Sequence, residues 1–228
     1  MIGRTVFGKI YDNERSDSLA TYLRKKRVAL LQSLLESIPG SLKILDIGGT
    51  ENFWQTVGLL ERKVGIIEIT LLNLTKEKVE SPNMKSAIGD ARNLKQFEDN
   101  AFDVVFSNSV IEHVGDWDEQ AQMANEVRRV GKRYFIQTPN LYFPIEPHFV
   151  FPFFQFLPLW LRVWLVTHYD LGWYKKLPSK QKAIAEVSAI KLLSKKKLTN
   201  LFPDGKIYEE KFLGLTKSFV VYSGWDNS

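Results

Sequence analysis

The strongest constraint on the fold lies in Ser41-Leu42-Lys43-Ile44-Leu45-Asp46-Ile47-Gly48-Gly49-Thr50, a short apolar run that ends in an acid and two glycines. Lys43 to Ile47 is too short for an ordinary helix and is rich in aliphatic and β-branched residues, which predicts a buried strand. Gly48 and Gly49 carry no Cβ, so the backbone there can turn sharply and come close to a ligand. Glu51 to Arg62 then reads as a helix whose first turn offers unpaired N–H groups to whatever lies over the glycines. Strand, glycine turn and helix, in that order, open a doubly wound α/β sheet and its ligand crevice.

The rest of the chain continues that pattern. Ser16 to Ile38 is a helix by the spacing of Leu19, Leu23, Leu30, Leu31, Leu34 and Leu35, and Pro39-Gly40 stops it. Further strands are expected at Gly65 to Leu72, Met84 to Ile88, Phe102 to Ser107 and Arg133 to Thr138, with a helix over Asp118 to Val130 and at most a short one between Leu74 and Glu80. Strands alternating with helices mean βαβ units and a largely parallel sheet. Lys206 to Gly214 and Ser218 to Ser223 are joined only by Leu215-Thr216-Lys217, too short a link for a parallel crossover, so they must be antiparallel. The expected fold is α/β: a Rossmann-like doubly wound sheet, mostly parallel with an antiparallel C-terminal hairpin, and helices on both faces. It reads as a single domain over 1–228, with a helical lead-in at 1–40, a core at 41–140, an aromatic and helical insertion at 141–200 and a closing hairpin at 201–228.

Composition removes several chemistries. The 228 residues include no cysteine, which excludes disulfides, thiolate metal sites and a cysteine nucleophile, and with only three histidines no metal centre is expected. Met1-Ile2-Gly3-Arg4-Thr5 lacks the apolar core of a signal peptide, so a cytoplasmic protein is expected. The net charge of +5 is concentrated after residue 140, where 12 basic side chains face 7 acidic ones. Arg24-Lys25-Lys26-Arg27 and Lys195-Lys196-Lys197 read as solvated helix faces, and no nucleic-acid partner is expected.

In an open α/β sheet the ligand lies outside the carboxyl ends of the strands, which here are Asp46 to Thr50, Asn73, Asp90-Ala91 and Ser107-Asn108-Ser109. Asn52 stands where a dinucleotide fingerprint requires its third glycine. The strand-one turn instead resembles motif I of class I S-adenosylmethionine-dependent methyltransferases, Asp-x-Gly-x-Gly-x-Gly after an apolar strand. Gly48 matches the first glycine, Thr50 and Asn52 replace the other two, and Gly49 is an extra one. Gly89-Asp90-Ala91, Phe102-Asp103-Val104-Val105 and Asn108-Ser109-Val110-Ile111-Glu112-His113 are similar to the third-strand acid, fourth strand and following segment of the small-molecule, type 11-like members. The resemblance covers about residues 42 to 140. It implies S-adenosylmethionine as cofactor, with Asp46, Gly48, Gly49 and Thr50 in the loop at its amino-acid end, Asp90 on the adenine amino group, Ala91 beside the ring and Asn108 as a further contact after strand four. A polar residue ending strand two would hold the ribose: Asn73, or alternatively Glu68, which has the usual spacing of 20 residues from Gly48 but lies inside an apolar run.

Methyl transfer needs alignment and exclusion of water above all. His113 is placed to act as a base if the acceptor loses a proton, or else to cap its loop. Asp116 and Asp118 read as caps of the helix that follows. Residues 142–174 hold 12 of the 29 aromatic residues, and Phe149 to Val166 is mostly apolar but broken by Pro152, Pro158 and Arg162. The stretch reads as a cover over the acceptor, with Glu146 and His148 presented on Phe-Pro-Ile-Glu-Pro-His as its polar contacts, or as a peripheral membrane contact through 149–166. The expected function is methyl transfer from S-adenosylmethionine to a small molecule, a sugar or a lipid-linked intermediate, with His113, Glu146 and His148 as catalytic candidates. Two alternatives stand beside it. A nucleotide-sugar dehydrogenase or epimerase needs Tyr-x-x-x-Lys after strand four, yet that spacing occurs only at Tyr22 and Lys26. The altered glycine loop leaves room for a non-catalytic binding protein.

Overall fold

The structure, a computed structural model, describes residues 19–57 and 66–225. A helix, α1 (Leu19–Glu36), leads into strand β1 (Leu42–Ile47), helix α2 (Glu51–Val57) and strands β2 (Ile67–Asn73), β3 (Met84–Ile88) and β4 (Val104–Asn108). Helix α3 (Trp117–Val130) and strand β5 (Tyr134–Pro139) follow. After them come a two-residue ribbon, β6 (Ile145–Glu146) with β7 (Phe151–Pro152), and helices α4 (Leu159–His168), α5 (Lys180–Ala189) and α6 (Lys195–Leu201). Strands β8 (Lys206–Phe212) and β9 (Leu215–Ser223) close the sheet.

The seven-stranded sheet has the order β3-β2-β1-β4-β5-β9-β8, parallel as far as β5 and antiparallel beyond it. From β1 the chain builds outward through β2 and β3, then returns to β1's other side with β4 and β5. The reversal lies between β1 and β4, where the loops after the two strands part and leave a crevice.

Alternation along β1 feeds two cores. Leu45 and Ile47 join Met123, Val127 and Val130 of α3 and Leu198 and Leu201 of α6. Leu42 and Ile44 face the other way, against Leu31 and Leu35 of α1 and Trp54 of α2. Helices therefore cover both faces, and each fully buried Leu, Ile or Phe contributes about 1.5–3 kcal/mol. The insertion has a third core of its own, built on Phe149, Phe154, Val163, Val166, Ala183 and Val187.

Several sequence expectations shift. The described part of the helix after the glycines is Glu51–Val57, and its expected continuation into 58–62 lies outside the described residues. Residues 74–80 form no helix; Glu77 is instead held by its N–H to Ser86 Oγ at 2.9 Å. The hairpin turns at Leu213-Gly214 rather than at Leu215-Thr216-Lys217, with φ of 48° and 82°, the pair of left-handed residues that a tight hairpin turn requires. Leu193, Leu198, Leu201 and Phe202 pack on the main sheet, so the insertion ends near residue 190 and not at 200.

One ion pair ties the first helix to the last hairpin. Glu210 is buried and accepts from Arg27 Nη1 at 3.1 Å and from the Ser218 hydroxyl. Arg27→Ala leaves that carboxylate buried without its main partner, and unfolding in urea should show a loss on the order of 3 kcal/mol. A loss below about 1 kcal/mol would mean that α1 is not held by this pair.

Candidate functional site

At the reversal point the carboxyl ends of β1, β2 and β3 open onto a cleft of about 770 Å³, whose walls include Gly48, Asn73, Asp90, Ala91 and His113. A second cleft of about 270 Å³ lies around Asp46, Gly48, Gly49, Thr50 and Asn108. Gly48 lines both, so the two are the halves of one crevice on either side of the glycine turn. The sequence-derived cofactor residues are all brought to it.

The turn keeps its shape through Asp46. This carboxylate is fully buried, and its Oδ2 accepts from Trp54 Nε1 at 2.7 Å, which fixes α2 against the end of β1. Oδ1 has no partner. A Cβ on Gly49 would overlap the Asp46 carboxylate, and one on Gly48, whose φ is 74°, would overlap the Val110 side chain. The two glycines thus allow close approach to the protein's own groups as well as to a ligand. Asn73 Nδ2 donates to the Gly49 carbonyl at 2.9 Å, so the end of β2 holds the turn from the other side. Glu68, the alternative to Asn73, is exposed and pairs in register with Lys43 near the start of β2. It lies five residues from the crevice end of the strand, on the order of 16 Å away, and cannot reach a ribose there.

Asp90 is held on both oxygens by Arg92, with Nε at 2.9 Å from Oδ1 and Nη2 at 2.6 Å from Oδ2. The Arg92 guanidinium holds its carboxyl below the usual range. A carboxylate offers about four acceptor positions, so a further donor can still be accepted. Arg92 also pairs with Glu119, 27 residues away.

His113 and His148, 35 residues apart, meet with their Nε2 atoms 3.1 Å apart and their rings perpendicular. His113 ends a short 3-10 turn after β4, while His148 follows β6. Glu146 sits beneath them. Its Oε1 is 2.6 Å from His148 Nδ1, and Oε2 accepts the backbone N–H groups of His148 and Phe149 at 2.8 and 2.7 Å. Being buried, with both oxygens taken, Glu146 orients His148. Glu112, which sequence reasoning passed over, is fully buried; Oε2 accepts from Thr138 Oγ1 at 3.0 Å and Oε1 has no partner. Burial pushes Glu112 up to about 7 and, with His148 beside it, His113 down to about 4. For His148 burial works downward, but the Glu146 carboxylate outweighs it and the net shift is upward.

His148 also lines a third cleft of about 270 Å³, with Arg24, Arg27, Asn108, Ser109 and Gln137. Arg24 and Arg27 are half-buried there, whereas Lys25 and Lys26 are exposed, so only half of that basic run is a solvated face. Lys195, Lys196 and Lys197 are exposed, as expected. Asp116 caps α3, its own N–H donating to Glu119 Oε2 at 2.8 Å.

The comparisons agree with this geometry. The family described as "Methyltransferase domain" matches residues 46–134. Two uncharacterized proteins of Mycobacterium tuberculosis, MT1557 and Rv1509, are each 42% identical over 62 residues, a match spanning 27% of this chain and 21% of theirs. Among solved structures, the CMeT domain of the citrinin polyketide synthase superposes with a TM-score of 0.54 at 11% identity, over 89% of this chain and 52% of that one. The methyltransferase CalH in complex with SAH gives 0.51 at 13% identity, over 92% of this chain and 59% of that one. The chain thus has a methyltransferase fold, and the match to the family model runs from the end of β1 to the start of β5.

Asp46 provides a test of the crevice's electrostatics. Burial pushes its carboxyl up to about 8 against the lowering effect of the Trp54 hydrogen bond. Between about pH 4 and 8 the folded chain therefore keeps a proton that the unfolded chain has released, and stability falls as pH rises. Asp46→Asn keeps an acceptor for Trp54 and cannot ionise. Denaturation at several pH values between about 5 and 8 should show the variant gaining on the wild type as pH rises, by at most about 1.4 kcal/mol per pH unit. A difference independent of pH would contradict the burial of an ionisable group at the crevice.

Proposed function

We propose that the chain binds S-adenosylmethionine across the glycine turn and transfers its methyl group to a small-molecule acceptor held beside His148 and Arg24. One observation carries this reading: Gly48, Asn73, Asp90 and Ala91 converge at the reversal point, flanked by buried Asp46 and Asn108 oxygens that have no partner. The two halves of the crevice suit the two ends of such a cofactor. Asp90 and Ala91 are available to the adenine, and Asn73, whose N–H₂ is taken by the turn, keeps its carbonyl oxygen for a ribose hydroxyl. The unpartnered Asp46 and Asn108 oxygens accept from the ammonium of the amino-acid end, a positive charge that favours release of the Asp46 proton on binding. When bound, S-adenosylmethionine supplies an activated methyl group.

The acceptor's place is supported by the histidine pair. His113 lines the larger cleft and His148 the one beneath the insertion, so their contact marks the junction between cofactor and acceptor. Transfer there depends on position and exclusion of water. Arg24 and Arg27 lie close enough in the third cleft for Arg27 to lower the Arg24 guanidinium, with burial the larger cause, and such a pair favours an anionic acceptor such as a phosphorylated or lipid-linked sugar. Phe153, Phe156 and Trp160 are 55%, 52% and 71% exposed on the insertion, which supports a second role for it as a contact with a membrane that carries such an acceptor. None of the described helices is long and apolar enough to cross a membrane.

The experiment is a paired one on Asp90→Ala and His148→Ala, by calorimetry with S-adenosylmethionine and by transfer of labelled methyl groups to small-molecule extracts. Asp90→Ala removes a hydrogen bond to a charged group and should weaken cofactor binding roughly tenfold or more. His148→Ala should leave that affinity nearly unchanged while transfer falls at least tenfold. Unchanged affinity in Asp90→Ala, or equal losses of binding and transfer in His148→Ala, would contradict the assignment. Binding of wild-type protein to anionic liposomes would support the second role, and its absence would remove it.

A further inference from the structure

We propose that Glu112, His113 and His148 form a binding site for a divalent first-row transition-metal ion. Their ligand atoms all lie within 4.8 Å of one another. The fold brings Glu112 and His113, neighbours on the turn after β4, together with His148 from the insertion, which is why scattered histidines in the sequence did not suggest a metal centre.

The geometry of the pair carries the inference. An ion at ordinary bonding distance from two imidazoles holds their nitrogens about 3.0–3.4 Å apart. The two Nε2 atoms stand at 3.1 Å, with rings at 90°. The Glu146 carboxylate accepts from His148 Nδ1 at 2.6 Å, which puts the proton on Nδ1 and leaves Nε2 to face His113. Carboxylate, histidine and metal in a row is the usual outer support of such sites, because it fixes both tautomer and ring orientation.

A second observation points to the same ligand. Glu112 is fully buried, its Oε2 is oriented by Thr138, and its Oε1 has no partner. A plain hydrogen bond between the histidines would leave that oxygen unanswered. A cation answers all three groups once the carboxylate draws in by roughly an ångström, a small side-chain rotation. Two nitrogens and one oxygen select Zn²⁺, Fe²⁺, Mn²⁺ or Co²⁺ over Mg²⁺ or Ca²⁺, which prefer all-oxygen sites. Three protein ligands leave positions open, and His113 and His148 line the two clefts that meet here. The use of those positions to hold an acceptor oxygen rests on the methyltransferase reading. The ion itself does not.

The test uses the full chain, without a histidine tag and without S-adenosylmethionine, titrated with Zn²⁺ by calorimetry and with Co²⁺ by visible absorption. One ion per chain is expected, with affinity at least tenfold weaker in Glu112→Gln and in His113→Ala and unchanged in His168→Ala. Circular dichroism should show all three variants folded, since Gln keeps the Thr138 contact and His113 lies on an exposed turn. No stoichiometric binding by the wild type, equal affinity in Glu112→Gln and His113→Ala, or loss in His168→Ala would overturn the site. None of these readings depends on methyl transfer.

Discussion

The structure depends on one buried hydrogen bond, from the Trp54 indole to the Asp46 carboxylate. A fully buried acid at the end of β1 is costly unless it is paired, and Trp54 pairs only half of it. The bond locks α2 to the strand, and Trp54 in turn packs on Phe53 and Phe106. Gly49 then rests against the carboxylate and Asn73 holds the Gly49 carbonyl, so the shape of the crevice follows from where Asp46 lies. The other half of the carboxylate is left without a hydrogen-bond partner at the crevice.

Glu146 plays a corresponding part in the insertion. Its two oxygens organise His148 and the backbone around it, which is why the segment from Pro144 to Phe149 can be stiff without being regular. The insertion is also fastened to the main sheet at the site itself. The Lys191 N–H donates to the Glu112 carbonyl at 2.7 Å, and Gln120 Nε2 donates to the carbonyls of both Ile111 and Lys191. The 3-10 turn carrying His113 is therefore gripped from α3 and from the end of α5, and His148 arrives against it in a fixed pose. Rigid mounting of polar groups between two clefts is what positional catalysis requires.

Much of this was legible in the sequence because it is local or periodic. The β1 run with its glycines, the alternation of strands and helices, and the short link before the antiparallel strand each follow from residue spacing. Asn73 does lie at the crevice end of β2, whereas Glu68 is exposed near the strand's start and not buried at its centre. What the sequence hid are pairings between distant segments. Arg92 on Glu119, Arg27 on Glu210 and His113 on His148 depend on which loops the sheet order brings together. The hairpin turn was misplaced because Leu213 takes a left-handed conformation that its side chain does not advertise.

The central claim is that the loops at the reversal point hold a nucleoside-bearing sulfonium cofactor in one defined orientation. A crystal structure with S-adenosylhomocysteine bound tests it most directly. The account predicts the adenine beside Asp90 and Ala91, the ribose within hydrogen-bonding distance of Asn73, and the amino-acid end next to Asp46 and the Gly48-Gly49 turn. A ligand bound away from this crevice, or turned end for end within it, would contradict the account.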